Sequence, residues 1–302
     1  MAYLMIEKNV FEAHCPFGVD VESDIYNNIE HFFTLAYDDL TATLLGKELG
    51  ELLPDLIKAD NDNNMLQTVG HVCESSVRSI RERVYDYVCN RAMWLAIPSL
   101  DLVLTNNGFG VVNARDIIPA VPERVNRLRQ QCGNDADSAY DFLLCALPAW
   151  IRVRDTLIRG KVWLQHTEHL VWTANHFQKW CARDNAQINR NDLNKASGML
   201  TVIESQMEDM ISSGQMSIFR SWLRGSEPEL NSIQSGALDL LMAWLSEAYS
   251  MSSADCRSGY QLMAYMDKFH QDFEPYRHSE QYAARHHHYH QTTRKSGCFI
   301  FR

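Results

Sequence analysis

The chain has 302 residues, 46% hydrophobic and 22% charged, a balance that excludes a disordered protein and allows a substantial core in one large or two modest domains. Its net charge of −10 excludes a generic nucleic-acid coat, which needs surplus Lys and Arg to displace counterions. No window approaches about 18 uncharged apolar residues, so no membrane-spanning helix is expected.

The charge is uneven. Residues 1–64 hold 13 acids against Lys8, Lys47 and Lys58, and so carry the whole −10. From Arg277 onward the balance turns basic, with Arg285, Arg294, Lys295 and Arg302 opposed only by Glu280. Complementary subunit faces and simple solvation of exposed ends both account for this. The eight cysteines form no C-x-x-C pair, and Cys73, Cys89 and Cys145 fall within apolar helical patterns. They read as thiols kept reduced in a cytoplasm. Glu7, Glu12 and Asp20 stand where a signal peptide would need a basic start and an apolar run.

In chain order, the first clear helix follows Pro16-Phe17-Gly18, with Ser23 as its N-cap. Ile25, Ile29, Phe32, Phe33, Ala36, Leu40 and Leu44 recur at three- and four-residue steps. Gly46 reads as its C-cap, and Lys47–Ile57 as a short helix interrupted by Pro54. Ala59–Asn64 is a polar loop. A long helix is expected from about Met65 until Pro98 ends it. Asp101–Thr105 and Phe109–Val112 flank Asn106-Asn107-Gly108, residues tolerant of positive φ, and predict a small β-hairpin. Helices follow over Glu123–Gln131 and Ala136–Leu147, the latter stopped at Pro148. Residues 149–190 hold four of the seven tryptophans, and predict a short strand over Lys161–Gln165 and a helix near Thr173–Cys181. Helices are then expected from Asp192 to Met210, from Asn231 to Tyr249 and from Ala254 to Phe273. Met199, Met207, Met210 and Met216 form a stripe that suits a core or an adaptable interface.

The class is therefore mainly α. It comprises an N-terminal helical unit (1–148) with the hairpin at 101–112, a Trp-rich connecting segment (149–190), a C-terminal helical unit (191–274) and an arm (275–302). The order helix, glycine, short helix, polar loop, long helix occurs twice at an offset of about 168 residues. Duplication and the ordinary recurrence of helical hairpins explain it equally.

No phosphate-binding loop, dinucleotide fingerprint or nucleophile elbow occurs, and no catalytic residue or cofactor is expected. His166, Glu168 and His169, with His176 beyond, offer metal-ligand types near one face, but not in the H-E-x-x-H pattern. They mark the alternative reading, a metal-dependent enzyme; a helical protein-binding module is a third. Arg285-His286-His287-His288-Tyr289-His290 suits a contact segment better than a metal site, because adjacent residues cannot all face one ion.

Three stretches resemble head–tail connector (adaptor) proteins, structural proteins of tailed phages and prophages of gut bacteria. They are Ile29–Leu53 with Leu44-Leu-Gly46-Lys-Glu-Leu-Gly-Glu-Leu-Leu53, the run Leu102–Val112 followed by Pro119–Leu128, and the closing Gly297-Cys-Phe-Ile-Phe301. The simplest connectors are about half this length and lack a second helical unit. The resemblance implies a virion protein of the neck, a homo-oligomeric ring (a dodecamer by analogy) contacting the portal and other neck or tail proteins. It also implies DNA passing without sequence-specific binding.

Arg285, His286, His288, Phe299, Ile300 and Phe301, with Asn107 and Gly108 at the hairpin tip, are the candidate subunit or partner contacts. Pro275 is expected to stop the preceding helix. The apolar Phe299-Ile300-Phe301 suits a strand added to a partner's sheet, or one closing its own domain.

Overall fold

The computed structural model describes residues 4–15, 25–59, 77–100, 102–105, 108–111, 122–181, 188–224 and 230–286. It is mostly helical and divides into two compact units. Unit 1 comprises Met1–Thr201 with Arg220–Leu230, and unit 2 comprises Val202–Phe219 with Asn231–Arg302. No helix among the described residues is long and apolar enough to cross a membrane.

Unit 1 opens with α1 (Lys8–His14) and α2 (Ile25–Leu40), whose Ile29, Phe33, Ala36, Tyr37 and Leu40 are buried. The helix continues as a π-helical turn, Thr41–Leu45, and then α3 (Gly46–Ala59). Gly46 closes the π turn at φ 73° and ψ 163°, with its N–H on the Thr41 carbonyl. A side chain there would be strained even though nothing lies within 4 Å of the position of its Cβ.

Pro54 does not interrupt α3 as its sequence position predicts. Proline leaves the carbonyl four residues earlier without its helical N–H, and that carbonyl belongs to Gly50. The buried Tyr37 hydroxyl donates to it at 2.8 Å. Tertiary structure supplies the missing donor, and the helix runs on to Ala59.

α4 (Val77–Ala96) packs against α5 (Pro122–Ala146). They are antiparallel: Trp94 meets Arg129 and Gly133, Tyr87 meets Tyr140, and Arg83 lies over Phe142. Two expected helices are thus one. The expected gap between Gln131 and Ala136 is helical, and Gly133 within it gives room: a Cβ there would sit 3.3 Å from the Trp94 ring. The connection, residues 97–121, contains β1 (Leu102–Thr105) and β2 (Gly108–Val111). They pair antiparallel with Leu102 opposite Val111 and Thr105 opposite Gly108. The tip residues and the ribbon's side chains lie outside what is described.

After α5 come α6 (Ile151–Arg159), α7 (Lys161–His166) and α8 (Ala174–Trp180). The strand expected over Lys161–Gln165 is helical. Its apolar residues Val162-Trp163-Leu164 are too few to set a period, and Gly160 before them serves as an N-cap. α9 (Arg190–Ile211) begins in unit 1 and the boundary falls within it.

Unit 2 contains the end of α9, most of α10 (Ser213–Leu223), α11 (Ser232–Met251) and α12 (Arg257–Lys268). Asn231 caps α11 in a reciprocal box with Gln234, satisfying two otherwise orphaned N–H groups. α11 and α12 run antiparallel, with Gly259 against the Trp244 indole and Gly236 against Tyr265.

The expected arm does not leave the body at 275. Pro275 takes the first turn of α13 (Glu274–Arg277), where a missing N–H costs nothing, and α14 (Glu280–Arg285) follows. Tyr276 is fully buried, and its hydroxyl donates to Asp267 at 3.0 Å. Burial of that ring holds the segment down. Residues 287–302, with the expected terminal strand, lie outside the described residues.

Candidate functional site

A cleft of about 720 Å³ opens in unit 1 along one face of α5. Gln130, Asn134, Ser138 and Asp141 follow at three- and four-residue steps and so line it from a single helix. α8 adds Asn175 and Gln178, α4 adds Arg83, and the start of α9 adds Asn189 and Arg190.

Asp141 is the floor. It is buried, one carboxylate oxygen accepts from the Arg190 guanidinium, and the other accepts the Ala174 N–H at 2.9 Å. That N–H is in the first turn of α8, so the carboxylate both serves an orphaned donor and sits at the positive end of a helix. The neighbouring Thr173 caps the same turn, its hydroxyl accepting from the His176 N–H at 3.0 Å. Burial still pushes the Asp141 carboxyl above its ordinary range, with Arg190 and the Ala174 N–H opposing. Asp137 is raised by burial as well, opposed only by the more distant charges of Arg190 and Arg91.

Behind the floor runs a second polar layer. Arg190 lies 4.5 Å from the Tyr140 ring centroid. The Tyr140 hydroxyl donates to the Thr43 carbonyl at 2.8 Å and stands 3.0 Å from His166 Nε2, which also meets that carbonyl. Burial pushes the tyrosine up to about 12 and lowers the His166 pKa, so the imidazole is neutral near pH 7. The π-helical turn places Thr43 to receive both side chains. Such turns often accompany functional sites.

The metal-ligand candidates do not converge. His166 is engaged with Thr43 and Tyr140, Glu168 is exposed, and no group of three or more His, Cys, Asp or Glu among the described residues is placed to hold an ion. Of the candidate contact residues, Arg285 pairs with Asp267 at 3.2 Å and bonds the Tyr276 hydroxyl. His286 stacks on Tyr282 and stands 3.6 Å from Asp267. Gly108 opens β2; Asn107, His288, Phe299, Ile300 and Phe301 lie outside the described residues.

Sequence reasoning passed over Asp141 and Arg190. The available signal was one acid inside the apolar run Ala139-Tyr-Asp-Phe-Leu-Leu-Cys-Ala-Leu147, a position that burial makes costly unless a partner is supplied. The partner, 49 residues on, had no local mark.

The model of a family of unknown function (DUF6712) matches residues 42–149, well under half of the chain. The match spans the π turn, α3, α4, the ribbon and α5, and so includes Asp137, Tyr140 and Asp141 but neither α8 nor Arg190. No curated protein and no solved structure matches.

Proposed function

We propose that this chain is a structural protein of the phage head–tail junction, a connector or adaptor subunit that assembles as a ring of about twelve copies around the DNA passage below the portal. The observation that carries this reading is the order of elements in unit 1. A helix runs through Leu44-Leu-Gly46 into a short helix, and an antiparallel pair follows with a two-stranded ribbon in its connection. This is the order that the resemblance to connector proteins implies.

Two physical points support it. The two-stranded ribbon between α4 and α5 has outer edges whose backbone groups a neighbouring copy could pair with. The acidic segment 1–64 would repel phosphate along a passage, letting DNA slide. In this role the protein catalyses nothing, its partners are its own copies, the portal and neighbouring neck or tail proteins, and it resides in the virion. Mass spectrometry of purified virions of the encoding phage should find the chain at roughly the portal's copy number, and deletion of its gene should leave DNA-filled heads without tails. Its absence from virions overturns the proposal.

A further inference from the structure

Between α9 and α10 the chain turns on one residue. α9 ends at Ile211, α10 begins at Ser213, and Ser212 between them has φ 120°. An L residue rarely takes a positive φ, and this value lies well beyond the left-handed helical region at about +57°. Glycine goes there readily, yet serine stands at this position and glycine two residues later. Backbone strain of this kind persists only where the surrounding structure enforces it, and it gathers at elements that switch.

The rest of the junction is already helical. The Ser212 N–H donates to the Glu208 carbonyl at 2.8 Å, and the Ser212 carbonyl accepts the Met216 N–H at 3.1 Å, both at the four-residue spacing of an α-helix. The Ser212 hydroxyl accepts the Gln215 N–H at 3.2 Å, which offsets part of the strain. Turning Ser212 to an ordinary helical φ would bring the N–H groups of Ser213, Gly214 and Gln215 to the carbonyls of Asp209, Met210 and Ile211, their partners in a continuous helix. It would also carry the Gln215 amide, buried with neither end bonded, out of its present surroundings. Rotation at one residue thus removes two costs of the bent form.

Packing within unit 2 opposes that rotation. Ile211, Met216 and Phe219 are fully buried, the Phe219 ring centroid lies 6.4 Å from that of Phe273, and a Cβ at Gly214 would sit 3.4 Å from Pro275. The segment that supplies Phe273 and Pro275 is itself tied down. The Tyr276 hydroxyl donates to Asp267 at 3.0 Å, and Arg285 pairs with the same carboxylate at 3.2 Å.

We infer that residues 273–276 are a clamp that holds α9 and α10 bent at Ser212, and that when the clamp lifts, Ser212 relaxes and the two helices join as one. The device stands apart from the neck role proposed above and needs no ligand.

The test uses the full chain, with Val202 and Ser217, both exposed, replaced by p-acetylphenylalanine and coupled to nitroxides for pulsed EPR. At about 1.5 Å per residue a continuous helix sets the two positions roughly 22 Å apart, and the bent form brings them closer. The chain with its clamp intact should give the shorter distance alone. Tyr276→Ala, which empties the clamp, should add a second population at the longer distance. Adding Ser212→Gly should cut that population roughly threefold or more, because glycine takes a positive φ without strain. If Tyr276→Ala unfolds unit 2, seen as lost helical circular dichroism, Arg285→Ala, which cuts only an outer tie to Asp267, decides by the same populations. A long distance already dominant with the clamp intact, no second population once the clamp is weakened, or one untouched by Ser212→Gly overturns the inference.

Discussion

In unit 1 the helices enclose an Asp141–Arg190 pair, a tyrosine and a neutral histidine beside an open cleft, whereas the α11–α12 pair of unit 2 closes on Trp244 seated against Gly259. The indole N–H donates to the Ala254 carbonyl at 2.7 Å, so even its polar atom is satisfied inside the pair. Among the described residues unit 2 also buries Glu204 and Gln215, and neither end of the Gln215 amide is bonded. The contrast teaches where specificity and stability reside. Buried polar groups with matched partners hold unit 1 in one arrangement at some cost in stability, while close packing of an indole against glycine dominates the α11–α12 pair.

The largest expected effect lies on the polar side. Asp141→Ala leaves the Arg190 guanidinium partly buried and unpaired, and should cost about 3–5 kcal/mol in denaturant unfolding. Replacing both partners (Asp141→Leu with Arg190→Met) should recover most of that loss. A double variant as unstable as the single one would mean that the pair adds net stability.

On the packed side, a Cβ at Gly259 would lie 2.6 Å from the indole of Trp244, a rigid ring held by its own hydrogen bond. Gly259→Ala should cost about 1–3 kcal/mol, read as faster hydrogen exchange in α11 and α12 with α4 and α5 unchanged. Equal loss of protection in both units would end the comparison, since it would show them unfolding as one.

Gln215→Met keeps the volume and removes two unsatisfied polar atoms, so the melting temperature should rise, by the equivalent of about 1–2 kcal/mol. A fall would show that the amide is hydrogen-bonded in solution, for instance to an enclosed water.

A cap in each unit offers a smaller, matched pair. Thr173→Ala removes the hydroxyl bonded to the His176 N–H, and Asn231→Ala removes half of the capping box of α11. Each should cost about 1 kcal/mol. Loss at Thr173 should exceed loss at Asn231, because α8 begins in the buried layer that Asp141 also caps.

The smallest effect is a pH slope. Burial lowers the His166 pKa below 6.5, so the unfolded chain binds more protons than the folded one in the window just beneath that value. Stability should therefore rise as pH climbs toward 6.5 and level off above it. Burial raises the Asp141 carboxyl, which reverses the sign in the carboxylate range: stability falls as pH rises from its ordinary value toward the raised one. In His166→Gln the slope below pH 6.5 should shrink, as followed by chemical denaturation at stepped pH.

Much of the helical frame was legible without coordinates. α2, α9 and α11 carry unbroken apolar stripes over 16, 22 and 20 residues, long enough for period alone to identify them. Short or punctuated segments were misread. Lys161–Gln165 lacked the length to show a period, the stretch between Gln131 and Ala136 and Pro54 resembled breaks, and Pro275 resembled the start of an extended arm. In each case a distant residue decided: Trp94 beside Gly133, Tyr37 donating to the carbonyl Pro54 leaves free, and the buried Tyr276 tied to Asp267.

The amino-acid order by itself determined a mainly helical chain, the lopsided charge of residues 1–64 and the positions of the long helices, because periodicity and net charge are sums over neighbouring residues. Only the tertiary structure decided that Asp141 faces Arg190, that Thr43 on a π turn receives Tyr140 and His166, and that polar residues of α5 and α8 border one cleft. These relations join residues up to 123 apart, and a buried charge reveals its partner only when both have left water together.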